Sequence, residues 1–283
     1  MPSTNYAYVS GRFVPENEAT VSIFDRGFLY GDGVFETMRM YSGKIFRLAQ
    51  HLQRLTYGLE SLRLDCTVET AQVEAIFDEL LDRNQLKDGV ARICVTSGPT
   101  EFDRGGEARP TLVLTAQPLD PARVPASLRA MTATIRLDED SVFAGVKTSN
   151  RLSYIVARTQ AKQAGYDEAL LLNEHSHVCE FSVSNIFTVK TGALWTPPLM
   201  DGPLPGVTRD AVIMLAAKLG IACYEMSLGL DGFADADEVF ATNSLIEIVP
   251  VRQLDERQFT QAKVTGLMAD AYRQLVREEL RLS

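Results

Sequence analysis

The chain has 283 residues, 46% of them hydrophobic and 23% charged, which fits a soluble globular protein with a substantial core and length enough for two domains. Its net charge of -9 argues against nucleic acid as the main partner, although a local arginine cluster suffices to receive an anionic substrate. No apolar run approaches the span of a membrane helix and the N-terminus lacks a signal-peptide core, so a cytoplasmic protein with no membrane partner is expected.

In chain order, residues 6–14 read as a hairpin turning at Ser10-Gly11. Residues 21–24 look like a further strand, running into the glycine-punctuated loop 25–33 and then a strand over 34–41. Gly31 and Gly33 straddle an aspartate, which suggests either unusual backbone angles or a plain β-turn. Leu48, Leu52, Leu55, Leu59 and Leu62 recur at helical spacing within 46–64, and a second helix over 68–81 has Thr67 as its expected cap. Strands over 90–96 and 111–116 flank a polar loop, 97–109. Residues 118–125, opened and closed by proline, form the expected linker between a smaller N-terminal α/β domain, 1–117, and a larger mixed α/β domain, 126–283.

Beyond the linker a strand is expected over 129–136, then strands over 168–172, 178–183, 186–190 and 193–197. A loop at 201–206 leads into a helix over 207–219, strands follow at 237–242 and 247–250, and a final helix covers about 259–280. The fold class is therefore α+β. Four dispersed cysteines, Cys66, Cys94, Cys179 and Cys223, read as reduced thiols mostly in the core. His175 and His177 have no carboxylate or cysteine nearby to complete a metal set and read as a polar turn, so no metal is expected.

Lys147 follows the run Val142-Phe143-Ala144-Gly145-Val146 and precedes Leu152, Ile155 and Val156, which are spaced for one face of a helix. Thr148, Ser149 and Asn150 are all suitable caps for that helix. Taken alone, Lys147 is either an ordinary loop lysine or an amine leaving a strand end into a cleft, where partial desolvation lowers its pKa and suits it to Schiff-base chemistry. Gly202-Pro203-Leu204-Pro205-Gly206 shapes a tight turn, and the free N–H groups of the helix that follows can hold a phosphate, with the Thr208 hydroxyl as an added donor. Glu180 opens a half-buried strand, either reaching solvent or buried beside a partner. Arg54 lies on a helix whose apolar stripe includes Leu52 and Leu55.

Together these stretches resemble the fold-type IV, or class IV, aminotransferase family of pyridoxal-phosphate enzymes. The motifs are D-R-G-F-L-Y-G-D-G-V-F-E-T-M-R, H-L-Q-R-L, K-T-S-N-R-L, E-F-S-V-S-N-I-F, L-P-G-V-T-R and T-N-S-L-I-E-I-V-P, in the family's order and across essentially the whole chain. The resemblance implies a two-domain enzyme that binds pyridoxal 5'-phosphate and a small-molecule amino substrate, and that forms a homodimer with loops crossing near Asp25 and Ser97. Lys147 would carry the cofactor and move protons, Glu180 would pair with the pyridine nitrogen, and Arg54, Val207, Thr208 and Ser244 would hold the phosphate. Arg151 would also sit at the cofactor, and Tyr30, Phe35, Arg104, Asn243 and Leu245 would line the substrate side.

Three activities share this scaffold: aminodeoxychorismate lyase, branched-chain aminotransferase and D-amino acid aminotransferase. Thr37, Arg151 in K-x-x-N-R-L, and T-N-S-L resemble the lyase pattern, in which a threonine hydroxyl assists elimination. Arg104 matches a carboxylate-binding arginine of the lyases, though the loop length differs. The glutamate in F-E-T-M-R is common to the aminotransferases. A protein that binds the cofactor without turnover is disfavoured by the intact lysine and glutamate.

Overall fold

The computed structural model describes residues 5–100, 109–120, 124–233 and 235–282. The chain forms two compact units, Met1–Pro121 with Val146–Asn150, and Ala122–Gly145 with Arg151–Ser283.

The first unit is built on a six-stranded sheet in the order β2-β1-β6-β5-β3-β4, antiparallel throughout. Its strands are β1 (Tyr6–Val9), β2 (Arg12–Pro15), β3 (Gly33–Tyr41), β4 (Lys44–Ile45), β5 (Gly89–Thr96) and β6 (Thr111–Gln117). Alternation along β3 decides which face is covered. Val34, Met38 and Met40 point into a core with Ile93, Leu114 and the helices α2 (Leu48–Ser61) and α3 (Thr70–Arg83). Phe35 and Thr37 point the other way, in register with Cys94 and Arg92 of β5.

Several expectations for this unit are corrected. Residues 21–24 form a turn, because Ser22 accepts the N–H of Phe24 on its hydroxyl and that of Asp25 on its carbonyl. The loop that follows contains one helical turn, α1 (Arg26–Tyr30), capped by the Asp25 carboxylate at the Gly27 N–H and closed by Gly31 at φ 70°. Gly33 has no left-handed backbone; a Cβ there would meet the Val95 carbonyl at 2.6 Å, so close strand packing is what requires glycine. Thr67 does not cap α3, whose N-cap is Glu69 without a side-chain bond. Cys179 is buried, but Cys66, Cys94 and Cys223 are only half-buried.

The second unit carries a mixed nine-stranded sheet in the order β12-β11-β10-β13-β14-β7-β8-β9, with β15 beside β14. The strands are β7 (Leu128–Leu137), β8 (Glu168–Asn173), β9 (Val178–Phe181), β10 (Asn185–Lys190), β11 (Ala193–Thr196), β12 (Cys223–Glu225), β13 (Glu238–Asn243), β14 (Glu247–Leu254) and β15 (Arg257–Gln258). Strands β8 and β9 are buried along their whole length although β9 ends the strand order, so β9 is not the half-buried strand expected around Glu180. The short strands β12 and β15 were not expected from the sequence, and β14 runs past the anticipated end.

Helix α4 (Leu152–Gln163) differs most from expectation. None of Thr148, Ser149 or Asn150 caps it; the N-cap is Arg151, without a side-chain bond. Residues 147–149 are held extended by pairing with the start of β3, through Phe35 N–H to the Lys147 carbonyl at 3.1 Å and Ser149 N–H to the Gly33 carbonyl at 2.8 Å. A helix cannot begin until that pairing ends. Lys147 therefore sits on a segment added to the edge of β3, and the residues before it form turns rather than a strand. The stripe Leu152, Ile155, Val156 is exposed, while Ala157 and Ala161 face Ala133, Ala169 and Leu171 of the sheet.

Helices α5 (Val207–Lys218) and α6 (Lys263–Leu280) complete the unit. Helix α6 starts at Lys263 rather than near Phe259 because the Glu238 carboxylate on β13 accepts the Val264 and Thr265 N–H groups at 2.9 and 2.8 Å. Among the described residues, no helix is long and apolar enough to cross a membrane.

Candidate active site

In the first unit, the uncovered face of the sheet gathers the lysine and its surroundings. The Lys147 Nζ lies 4.8 Å from the Phe35 ring centroid, and the Arg92 guanidinium lies 4.0 Å from the same ring. Arg92 Nη1 donates to Thr37 Oγ1 at 3.3 Å. Phe35, Thr37 and Lys147, each singled out in the sequence, are thus brought onto one face, and Arg92 joins them unannounced. Tyr30, the last residue of α1, is exposed, with the Arg26 guanidinium over its ring at 4.9 Å. Arg104 lies outside the described residues.

Behind that face, Glu36 points into the core and is fully buried. Arg54 Nε and Nη2 grip its two carboxylate oxygens at 2.7 Å each, and His51 Nδ1 meets Oε2 at 2.7 Å. Burial alone pushes the Glu36 carboxyl up, but the charge and hydrogen bonds of Arg54 and then His51 overcome it and hold the group at about 2. Burial pushes His51 down, helped by the charges of Arg54 and Lys147, so the imidazole is neutral at pH 7 and donates its Nδ1 proton to Glu36. Arg54 is thus locked in one orientation by a bidentate pair rather than left to sample the helix surface.

The folded pKa of Glu36 lies below its unfolded value. Its contribution to stability is therefore complete above about pH 4.5 and is lost as the pH falls through about 2. Glu36→Gln strands a buried guanidinium, so a loss on the order of 3 kcal/mol at neutral pH is expected, with a flatter acid limb between those two values. Thermal unfolding followed across that range checks this; a mutant with the wild-type acid limb would contradict it.

In the second unit, Glu180 on β9 is buried and surrounded by donors. Tyr154 Oη donates to Oε1 at 3.2 Å, while Asn185 Nδ2 and the Leu204 N–H donate to Oε2 at 3.3 and 3.1 Å. Asn185 Nδ2 also donates to the Leu204 carbonyl at 2.9 Å, so one side chain ties the carboxylate to the 202–206 loop. Gly206, the N-cap of α5, admits no side chain: a Cβ there would fall 1.9 Å from Asn185 Oδ1. Val207 and Thr208 are buried in the first turn of α5, where backbone N–H groups lack helical partners. Asn243 ends β13 and accepts the N–H groups of Leu245 and Ile246 at 2.8 and 2.9 Å, which fixes the turn presenting Ser244 and Leu245. The Arg151 guanidinium lies 3.3 Å from the Tyr154 ring centroid.

His175 and His177 do occupy a polar turn, between β8 and β9, where His175 pairs with Glu139 and His177 Nδ1 lies 3.4 Å from Asp201. Sequence reasoning gave no site role to Glu36, His51, Arg92, Tyr154 or Asn185. Two of them carried a signal: His51 and Arg54 are three apart on one helix, and Asn185 is a polar residue directly before the apolar pair Ile186-Phe187.

The family model for class IV aminotransferases matches residues 33–254. A provisionally named branched-chain-amino-acid aminotransferase of Methanocaldococcus jannaschii is 40% identical over 260 residues, covering 91% of this chain and 90% of that protein. The aminodeoxychorismate lyase of Bacillus subtilis is 32% identical over 278 residues, covering 97% and 94%. The crystal structure of a branched-chain aminotransferase from Thermoproteus uzoniensis with norvaline superposes with a TM-score of 0.91 at 31% identity, covering 96% and 95% of the two chains. A matched family model over most of the chain, and relatives aligned along nearly their whole length, lead to one conclusion: this chain belongs to the class IV aminotransferase family of pyridoxal-5'-phosphate-dependent enzymes.

Proposed function

We propose that the chain is the lyase of this family, converting 4-amino-4-deoxychorismate into 4-aminobenzoate and pyruvate. The observation that carries this reading is the Thr37 hydroxyl on the same face as Lys147 and Phe35, with Arg92 donating to its oxygen at 3.3 Å. A hydroxyl whose oxygen already accepts from a cation keeps its own proton to give, and gives it more readily.

The residues present fit pyridoxal phosphate. Gly206 leaves a bare backbone at the start of α5, as a phosphate cradle requires, and Glu180 is a buried carboxylate held by donors on both oxygens. When bound, the cofactor supplies an electron sink for negative charge at the substrate carbon next to nitrogen. In the proposed assignment Lys147 carries it, and Arg54, the Val207 N–H, Thr208 and Ser244 hold its phosphate. Glu180 would pair with the ring nitrogen, and Arg151 would help to hold the cofactor. Lys147 would take the proton from the substrate carbon next to nitrogen, and Thr37 would deliver a proton to the departing enolpyruvyl group. Tyr30, Phe35, Asn243 and Leu245 line the substrate side, with Arg104 as a carboxylate contact.

A second reading, branched-chain or D-amino acid aminotransferase, is favoured by the 40% identity to the archaeal relative. The purified holoenzyme separates the two. Formation of fluorescent 4-aminobenzoate and pyruvate supports the lyase. Amino transfer from leucine or D-alanine to 2-oxoglutarate, without 4-aminobenzoate formation, replaces it with the transaminase.

We also propose a homodimer, with the turn around Asp25 at its interface. Ile23, Phe24 and Phe28 are 67%, 59% and 73% exposed, a density of large apolar side chains that a lone surface rarely carries. Light scattering of the active enzyme at micromolar concentration is expected to give twice the chain mass; a fully active monomer would reject the dimer.

A further inference from the structure

We propose that Tyr154 is a positioning residue for Glu180: its phenolic hydroxyl donates to Oε1 and so weakens the carboxylate as a base, keeping a proton shared with the cofactor's ring nitrogen on the nitrogen. This rests on the assignment of Glu180 as the partner of that nitrogen.

Three elements converge on the Glu180 carboxylate. The Leu204 backbone, ahead of α5, and Asn185, from β10, occupy Oε2 at 3.1 and 3.3 Å. Tyr154, from the first turn of α4, reaches Oε1 at 3.2 Å. A carboxylate that accepts hydrogen bonds is stabilised in its charged form and binds a proton less tightly. The direction of the Tyr154 bond is settled by the phenol itself. Burial first, and then the negative charge of Glu180, push its acidity far below that of an ordinary tyrosine, so it stays a donor throughout the working pH range. The Arg151 guanidinium lies 3.3 Å from the ring centroid, which restrains the ring.

The consequence is graded rather than all-or-none. Without the hydroxyl, Glu180 still has its two Oε2 donors, but it pulls harder on a proton held opposite it. The proton then spends more time on the carboxylate, and the ring withdraws electrons less effectively. Substrate binding does not depend on that balance, so the effect falls on kcat and leaves KM in place.

Tyr154→Phe removes one oxygen and keeps the ring and its contact with Arg151, so folding is preserved. The holoenzyme is loaded with cofactor labelled with nitrogen-15 in the ring, whose chemical shift separates protonated from unprotonated nitrogen. The expected result for Tyr154→Phe is a shift toward the unprotonated value, a kcat lower by about tenfold, and a KM within about twofold of wild type. An unmoved nitrogen signal, or an unchanged kcat, overturns the proposal. Glu180→Gln measured alongside separates the two levels of the argument. If Glu180→Gln moves the signal and Tyr154→Phe does not, Glu180 is the partner and only the role of Tyr154 fails. If Glu180→Gln leaves the signal at the wild-type value, both assignments fall.

Discussion

Lys147→Ala is expected to bind cofactor without fixing it covalently, to lack the visible absorbance of the lysine-bound form, and to lose turnover by at least about ten-thousandfold. On the proposed assignment two functions would disappear with one amine, the covalent link and the base that moves the substrate proton, so neither could rescue the other. The fold should survive. Residues 147–149 are held on β3 by backbone bonds, Phe35 N–H to the Lys147 carbonyl and Ser149 N–H to the Gly33 carbonyl, and alanine retains them. The side chain places its Nζ 4.8 Å from the Phe35 ring centroid, outside the core under α2 and α3. Borohydride reduction followed by mass spectrometry of tryptic peptides is the check. Cofactor recovered on a different lysine in the mutant, with activity retained, would refute the assignment.

The second large effect is expected at Thr37. Thr37→Val keeps β-branching on a strand and removes only the hydroxyl, so β3 and its register with β5 should be undisturbed. A positioned acid is worth about a hundredfold to ten-thousandfold, and a loss in that range is expected for 4-aminobenzoate formation. Any side transamination should be affected far less, because that reaction has no enolpyruvyl group to expel. Arg92 makes this variant informative twice over, since its Nη1 bond to Thr37 Oγ1 at 3.3 Å is lost with the hydroxyl. Arg92→Lys, which keeps a cation on the strand but not the planar fork, should reproduce part of the loss if that bond sharpens the hydroxyl. Equal, small losses of both activities in Thr37→Val would instead make Thr37 a wall of the cleft and favour the aminotransferase.

Much of this protein was legible in its sequence because the signals are local. Leucines at helical spacing gave away α2, alternation and β-branching gave away β3, β5 and β7, and the glycines and prolines of 202–206 announced the turn before α5. Lys147, Thr37, Glu180 and the residues of the turn before α5 could be singled out because each sits in a short stretch whose chemistry is carried by adjacent residues. What only the tertiary structure decided depends on partners distant in the chain. The Asp25 carboxylate is satisfied by Thr111, 86 positions away, and the start of α6 is set by Glu238, 27 positions before Thr265. Leu152, Ile155 and Val156 are spaced for one face of a helix, and that face is exposed, since periodicity says which residues share a face but not what covers it. The glutamate of F-E-T-M-R, Glu36, gains its partners only because β3 is registered against β5 and packed under α2, which places it between Arg54 and His51. Tyr154 meets Glu180 only because α4 lies over β8, beside the strand that carries the carboxylate. Burial and electrostatic partnership are properties of the packed chain, and no window of neighbouring residues contains them.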